Sequence, residues 1–148
     1  MADSGLNAVE KAIWNALVAN AAVIAGVGSG ASARIYNQIV PPRITTYPVV
    51  VFQFMSSDAA GRAFSGDAES YLYLVKCISL GDASFAAASD VSEGIDAVMH
   101  RATLAPTGYS GGIYQSLRQQ WVRYAEDVPD RGTFMHAGAV YHLWAQRS

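Results

Sequence analysis

The segment 34–54 constrains the fold more than any other, because it places a short strand, a loop broken by prolines and a strongly apolar strand in succession. Alternate residues of a strand point to opposite faces of a sheet, and both faces of the second strand are apolar here. One face carries Val49, Val51 and Met55, and the other carries Val50, Phe52 and Phe54. Both faces of this strand must therefore be covered by other parts of the structure.

The composition predicts one folded domain over residues 1–148, with 51% hydrophobic and 15% charged residues. A net charge of −2 provides no basic surface, which argues against tight binding of duplex nucleic acid. Cys77 is the one cysteine, so the chain contains no internal disulfide and a reducing compartment is the simpler interpretation. The N-terminal segment has no basic stretch before its apolar part, so we expect neither a signal peptide nor a membrane span.

Periodicity predicts seven elements along the chain. Apolar residues at helical spacing indicate two helices, and alternating or continuous apolar runs bounded by Gly and Pro indicate the strands. The predicted order is a helix from Leu6 that ends at Gly26, a short strand 34–39, a strand from Pro48, a loop 56–67, a strand 69–80, a helix capped by Asp82 and broken at Pro106, and a hairpin of 113–125 with 133–145. This order predicts an α+β fold, a roughly four-stranded and mainly antiparallel sheet with two helices packed on one face, plus a short extra strand.

Aromatic residues on the predicted strands exceed what one layer of helices can cover. They occur at both parities of the strands, namely Tyr71, Tyr73, Tyr114, Trp121, Tyr124, Phe134, Tyr141 and Trp144. Large exposed apolar patches on soluble proteins mark association surfaces. We therefore expect the chain to self-assemble.

Two short motifs suggest enzyme or cofactor chemistry and fail on context. The run 26–31 matches G-x-G-x-x-A, but it follows a helix and precedes a strand, the reverse of a dinucleotide site. The run 108–112 matches G-x-S-x-G around Ser110, with Asp127 or Asp130 and His136 or His142 as possible partners. It lies between a helix and a strand, whereas a nucleophile elbow needs the opposite order. We expect no catalytic residues and no cofactor.

Metal and nucleic-acid sites are also poorly supported. His136 and His142 are separated by roughly 20 Å along one extended strand, too far to share a metal ion. Asp90, Glu93 and Asp96 are best interpreted as a solvated helix face, and His100 as the ion-pair partner of Asp96 one turn away. Base-stacking platforms need basic residues between their aromatic residues, and few are present on these strands.

The chain resembles the tail terminator, or tail completion, proteins of long-tailed phages and of phage-derived particles such as gene transfer agents. The resemblance lies in an N-terminal helix ending in a small-residue turn, in Arg34-Ile-Tyr36, in a proline-bearing loop, in Tyr47-Pro-Val-Val-Val-Phe52 and in a last strand ending Tyr141-His-Leu-Trp144. It covers nearly the whole chain in element order and length. These motifs are moderately specific, since the family carries no invariant catalytic residues.

The resemblance implies a structural virion protein without cofactor, assembled in the host cytoplasm and located at the head-proximal end of the tail. Six copies would form a ring that stops tube polymerisation, contacts the tail tube protein and the head–tail connector or neck protein, and lets DNA pass without specific binding or membrane contact. We expect Tyr71, Tyr73, Trp121 and Tyr124 to contribute to subunit contacts, although each could instead belong to the chain's own core. The loops 41–47 and 56–67 are expected to meet tube or neck through Arg43, Thr45, Arg62 and Phe64.

Alternative functions remain open from the sequence alone. A head completion or neck adaptor protein of the same particle could show a similar outline. A small α+β ligand-binding protein or hydrolase would need a pocket between helices and sheet. A nucleic-acid binder would show steeply salt-dependent affinity.

Overall fold

A computed structural model describes residues 5–58, 68–81, 85–105 and 113–146. The helices are α1 (Gly5–Ala19), α2 (Ala21–Val27) and α3 (Ala86–Met99), and a short 3-10 turn spans Gly30–Ser32. The strands are β1 (Ile35–Asn37), β2 (Val49–Asp58), β3 (Ala68–Leu80), β4 (Ile113–Val128) and β5 (Gly132–Gln146). The expected α+β class is confirmed. The sheet has five strands among these residues, of which β1 is the short one, and there are three helices where two were predicted.

The N-terminal helix is divided in two at Asn20, which the apolar periodicity did not predict. The Asn20 side chain accepts a hydrogen bond from the Val23 backbone N–H at 3.0 Å and so caps α2. The two helices are bent by 85° relative to each other. Gly28, with φ +88°, ends α2 as the glycines predicted.

The five strands form one mixed sheet in the order β1-β2-β3-β5-β4. Only the pair β1–β2 is parallel, and the other three pairs are antiparallel. β1 and β4 are therefore the two edges of the sheet. β2 continues to Asp58 through an irregularity between Phe54 and Ser56, so the strand extends into the segment that the sequence predicted as a loop.

The guanidinium of Arg34, just before β1, connects two separate segments of the chain. Its Nε donates to the Pro48 carbonyl and its Nη2 to the Gly26 carbonyl, each at 3.0 Å. The side chain thereby joins the end of α2 to the start of β2, and its backbone carbonyl accepts the Val50 N–H at 2.9 Å. Arg34 is a structural residue that fixes β1 beside β2.

The three helices cover one face of the sheet, which we call the helix face. Its core combines buried helix residues such as Ile13, Leu17 and Ile95 with alternate residues of β2, β3 and β5. The strand residues are Val50, Phe52, Tyr71, Tyr73, Val75, Cys77, Ala137, Ala139, Tyr141, Leu143 and Ala145. Burial raises the pKa of the Cys77 thiol to about 12, so Cys77 is an inert core residue.

The opposite face, which we call the loop face, is covered at one end by the connection between β1 and β2. Val40, Ile44 and Tyr47 from this connection pack on a second cluster of buried side chains. That cluster consists of Val49, Val51, Ile78 and Phe134. On this side the chain's own loop covers Val49 and Val51, as the prediction of cover on both faces requires, but Met55, which the sequence placed on the same face, is 50% exposed.

Candidate assembly surfaces

The four predicted subunit-contact residues divide into two pairs. Tyr71 is 4% exposed and Tyr73 is fully buried, both on the helix face. Trp121 and Tyr124 on β4 are instead 52% and 41% exposed. Tyr71 and Tyr73 are thus placed in the chain's own core, because their parity on β3 points them toward the helices. Trp121 and Tyr124 remain accessible to another molecule.

The core tyrosines are satisfied by carboxylates of the helices. The Tyr73 hydroxyl donates to Glu10 Oε1 at 3.4 Å, and the Tyr141 hydroxyl donates to Asp96 Oδ1 at 2.9 Å. Burial, followed by the charge of the neighbouring carboxylate, raises the pKa of both tyrosines well above the usual value. Both phenols therefore stay neutral hydrogen-bond donors that attach helices to the sheet.

Asp96 does not belong to a solvated helix face, and it does not pair with His100 as the sequence suggested. It accepts a hydrogen bond from Arg118 Nη1 at 2.6 Å while holding Tyr141 through its other oxygen. The His100 Nδ1 accepts the Arg118 backbone N–H at 3.0 Å. A one-turn spacing on α3 predicted a local pair, but β4 packs alongside α3 and provides a better cation.

Arg118 in turn holds Trp121 on the edge strand. Its guanidinium carbon lies 4.1 Å from the centroid of the Trp121 ring. Asp96 fixes Arg118, so the indole is held in one orientation although half of it is exposed. An exposed, pre-oriented Trp beside an Arg is the kind of group that dominates binding energy in protein interfaces.

A groove of about 320 Å³ lies beside Trp121, between α3 and β4. Ala137 contributes a small side chain, and the α3 side is formed by Ser89, Ser92 and Glu93. Arg123 borders the groove and stacks on Phe85 at 4.3 Å. The groove can accept an apolar side chain from another molecule, because most of its lining surface is apolar.

The loop face carries a polar cluster across β3, β5 and β4. Lys76, a residue that is 7% exposed, donates from Nζ to the Tyr124 hydroxyl at 2.7 Å. The Tyr124 ring stacks on His136 at 4.3 Å, and His136 Nε2 contacts Glu126 Oε2 at 3.0 Å. Burial, followed by the Lys76 charge, lowers the pKa of His136 below its usual value even though Glu126 opposes the shift.

Gly138 makes this cluster possible. A Cβ at Gly138 would lie 2.2 Å from the Val75 carbonyl oxygen and 2.4 Å from Lys76 Cα. Only a residue without a side chain fits here. The missing side chain leaves room for Lys76 to extend across β5 to Tyr124 on β4. The sequence analysis missed this cluster, although an isolated Gly inside an apolar strand was a usable signal of close approach.

The predicted tube or neck contacts in the β1–β2 connection are partly available. Arg43 and Thr45 are exposed, whereas their neighbours Ile44 and Tyr47 pack on the loop face. Ile39, which the sequence analysis did not select, is 71% exposed. Arg62 and Phe64 lie outside the described residues, as does the G-x-S-x-G run 108–112.

Residues 5–58, 68–81, 85–105 and 113–146 contain no group of three or more His, Cys, Asp or Glu side chains that could hold a metal ion. Within these same ranges no single helix has the length and hydropathy of a membrane span. The helices α1 and α2 together have that length and composition, but they are sharply bent relative to each other. The described residues form an α+β fold with an exposed aromatic residue, Trp121, on the edge strand β4.

Comparisons with known proteins agree with this class. Residues 11–144 match the model of the family described as tail completion protein gp17. No curated protein matches the sequence. The chain belongs to the tail completion protein gp17 family, and it is a structural phage tail protein and not an enzyme.

Two solved structures share the fold. A protein of the virion of a native gene transfer agent particle has a TM-score of 0.69 at 16% identity, over 98% of this chain and 99% of that chain. A second solved structure has a TM-score of 0.62 at 12% identity over 99% of each chain. At these identities the similarity establishes a common fold.

Proposed function

We propose that six copies of this chain form a ring that caps the head-proximal end of the phage tail tube. The ring stops polymerisation of the tube and joins the tail to the neck of the capsid. The family match over residues 11–144 carries the proposal. The common fold with a protein of the gene transfer agent virion supports a place in such a particle.

The two sheet edges support self-assembly into a closed ring. β4 presents Trp121 at one edge, and the residues after β1 present Ile39 near the other. Contacts between unlike surfaces continue from copy to copy until they close into a ring or extend as a filament. A protein that ends a tube must close, so a ring is the arrangement that serves this function.

The remaining partners are the tail tube protein, the neck or connector protein and the DNA that passes through the ring. Arg43 and Thr45 are the two predicted contact residues that lie among the described residues, both exposed on the β1–β2 connection, and of these we propose Thr45 for contact with tube or neck. The net charge of −2 supports passage of DNA without retention, because neutralisation of phosphates provides most of non-specific affinity.

End-labelling of tail tubes tests the proposal. Purified tubes of uniform length, mixed with gold-labelled chain, are expected to carry label at one end only by electron microscopy. Added chain should also stop elongation when tube protein is supplied, and native mass spectrometry should detect a six-subunit species. Labelling along the whole tube would contradict termination. Label only on the portal side of capsids would support the neck adaptor alternative instead.

A further inference from the structure

We propose that Ile39 of one copy inserts into the groove between α3 and β4 of the next copy, beside Trp121. This inference rests on the proposed ring and identifies the contact between its subunits. The occupant is a second copy of this chain, because the two surfaces occur at opposite edges of one sheet and carry opposite charges.

Ile39 is presented as a fixed apolar projection. Gln38 adopts φ +71°, its N–H donates to the Phe52 carbonyl at 2.9 Å, and its carbonyl accepts Gln53 Nε2 at 2.7 Å. The Ile39 N–H donates to the Asn37 carbonyl at 2.9 Å. An isoleucine that is 71% exposed on such a constrained turn loses little conformational entropy on binding.

The groove is pre-organised in the same way. Asp96 holds Arg118, Arg118 stacks on Trp121, and Phe85 stacks on Arg123. The volume of about 320 Å³ exceeds what one isoleucine side chain needs, so neighbouring residues of the turn can enter with it. Removal of an isoleucine side chain from water against such a surface favours binding.

Charges at the two surfaces are complementary. Arg43 is exposed four residues after Ile39 and has no hydrogen-bond or ion-pair partner in the described part of the chain. Glu93 lines the groove, and Asp90 lies one turn earlier on α3; both are exposed and neither has a partner among residues 5–58, 68–81, 85–105 and 113–146. Arg43 is thereby assigned to the neighbouring copy, which differs from the sequence-based assignment to tube or neck.

Disulfide trapping tests the contact directly. The double variant Ile39→Cys with Arg123→Cys keeps Trp121, and its two new cysteines lie near opposite sheet edges, about 19 Å apart by four interstrand spacings. A disulfide needs Cα atoms within about 7 Å, so a bond between the two positions joins different copies. Under mild oxidation we expect a ladder of linked chains up to the full ring on a non-reducing gel.

The single-cysteine variants provide the controls. Either variant alone can form at most linked dimers, and an equal mixture of the two should give a heterodimer and no higher species. Buried Cys77 should not participate. A wild-type chain that forms rings while the double variant gives no ladder overturns this contact and leaves the proposed function intact. A wild-type chain that stays monomeric even on tail tubes overturns both.

A charge exchange provides an independent measurement. Arg43→Glu and Glu93→Arg should each weaken ring assembly about tenfold, and the double exchange should restore most of it. Leu80→Asp is the matched control for Ile39→Asp, because Leu80 is 44% exposed at the end of the central strand β3. Ile39→Asp should abolish rings, whereas Leu80→Asp should retain them. Equal effects of these two variants, or no restoration by the double exchange, overturn the proposed contact.

Discussion

The two faces of the sheet are both partly buried, but different parts of the chain cover them. The helix face is covered by three helices, and its buried phenols donate to Glu10 and Asp96 on those helices. The loop face is covered at one end by the β1–β2 connection, and its polar groups pair within the sheet, Lys76 with Tyr124 and His136 Nε2 with Glu126. The buried His136 Nδ1 has no hydrogen-bond partner among the described residues. Stability should therefore depend on packing and attachment on the helix face, and on charge balance on the loop face.

The largest expected effect comes from filling the space beside Gly138, where β5 packs closely against β3. Gly138→Val should lower the free energy of unfolding by more than about 3 kcal/mol, because its side chain would overlap the Val75 carbonyl and Lys76. Gly30→Ala is the matched control: Gly30 has φ +61° and open space around its Cβ position, so the cost should be about 1 kcal/mol. Urea unfolding followed by circular dichroism measures both. Equal costs would show that β5 can move away from β3.

Removing an attachment on the helix face should have the next largest effect. Tyr141→Phe keeps the ring but loses the hydrogen bond to Asp96, which should cost about 2 kcal/mol because the acceptor is charged. Tyr36→Phe, at a half-buried position on β1, should change stability by less than about 0.5 kcal/mol. The same unfolding experiment compares them. A neutral Tyr141→Phe would mean that Arg118 alone satisfies Asp96.

Removing the Lys76 charge on the loop face should change stability less than Gly138→Val or Tyr141→Phe, and it should shift the pKa of His136. Lys76→Met keeps the apolar stem and should alter the free energy of unfolding by about 1 kcal/mol or less, because a buried ammonium carries a desolvation cost. The same change should raise the pKa of His136, since the Lys76 charge now lowers it. NMR titration of the His136 ring measures this shift. Lys11→Met on α1 should leave the His136 titration unchanged.

The smallest expected effect is a pH dependence from the loop face. The pKa of His136 is lowered in the folded chain by burial, with Lys76, Tyr124, Glu126 and Arg131 around it. The unfolded chain therefore binds more protons below about pH 6.5, and stability falls as pH decreases from there, by at most about 1.4 kcal/mol per unit. His136→Phe should flatten this slope in unfolding curves at pH 7.5 and 5.5. The remaining slope includes His142, whose pKa burial also lowers. An unchanged slope would contradict the assignment.

Local patterns predicted the fold where the structure is local. The continuous apolar run of β2, the strand β3 and the hairpin of β4 with β5 followed from side-chain alternation and turn residues. The parallel pairing of β1 and the fold-back of Val40 and Ile44 did not, because both depend on contacts distant in sequence. Asn20 was a visible capping residue, but the continuous apolar periodicity outweighed it.

The candidate assembly surfaces were predicted by residue type and not by face. Tyr71, Tyr73, Trp121 and Tyr124 are all strand aromatics, and no local signal says which side of a two-sided apolar strand the helices cover. Ile39 escaped prediction because a single apolar residue before Pro41-Pro42 carries no periodicity. The pairing of Lys76 with Tyr124 and His136 required the register of three strands.

The different elements at the two sheet edges give any assembly through them a direction. When the β1 side of each copy meets the β4 side of the next, all copies share one orientation, and the resulting annulus has an upper and a lower rim made of different residues. If such an annulus is turned over, a different set of residues faces its binding partner. A directional ring of this kind can bind the end of a growing tube through one rim and an incoming capsid through the other.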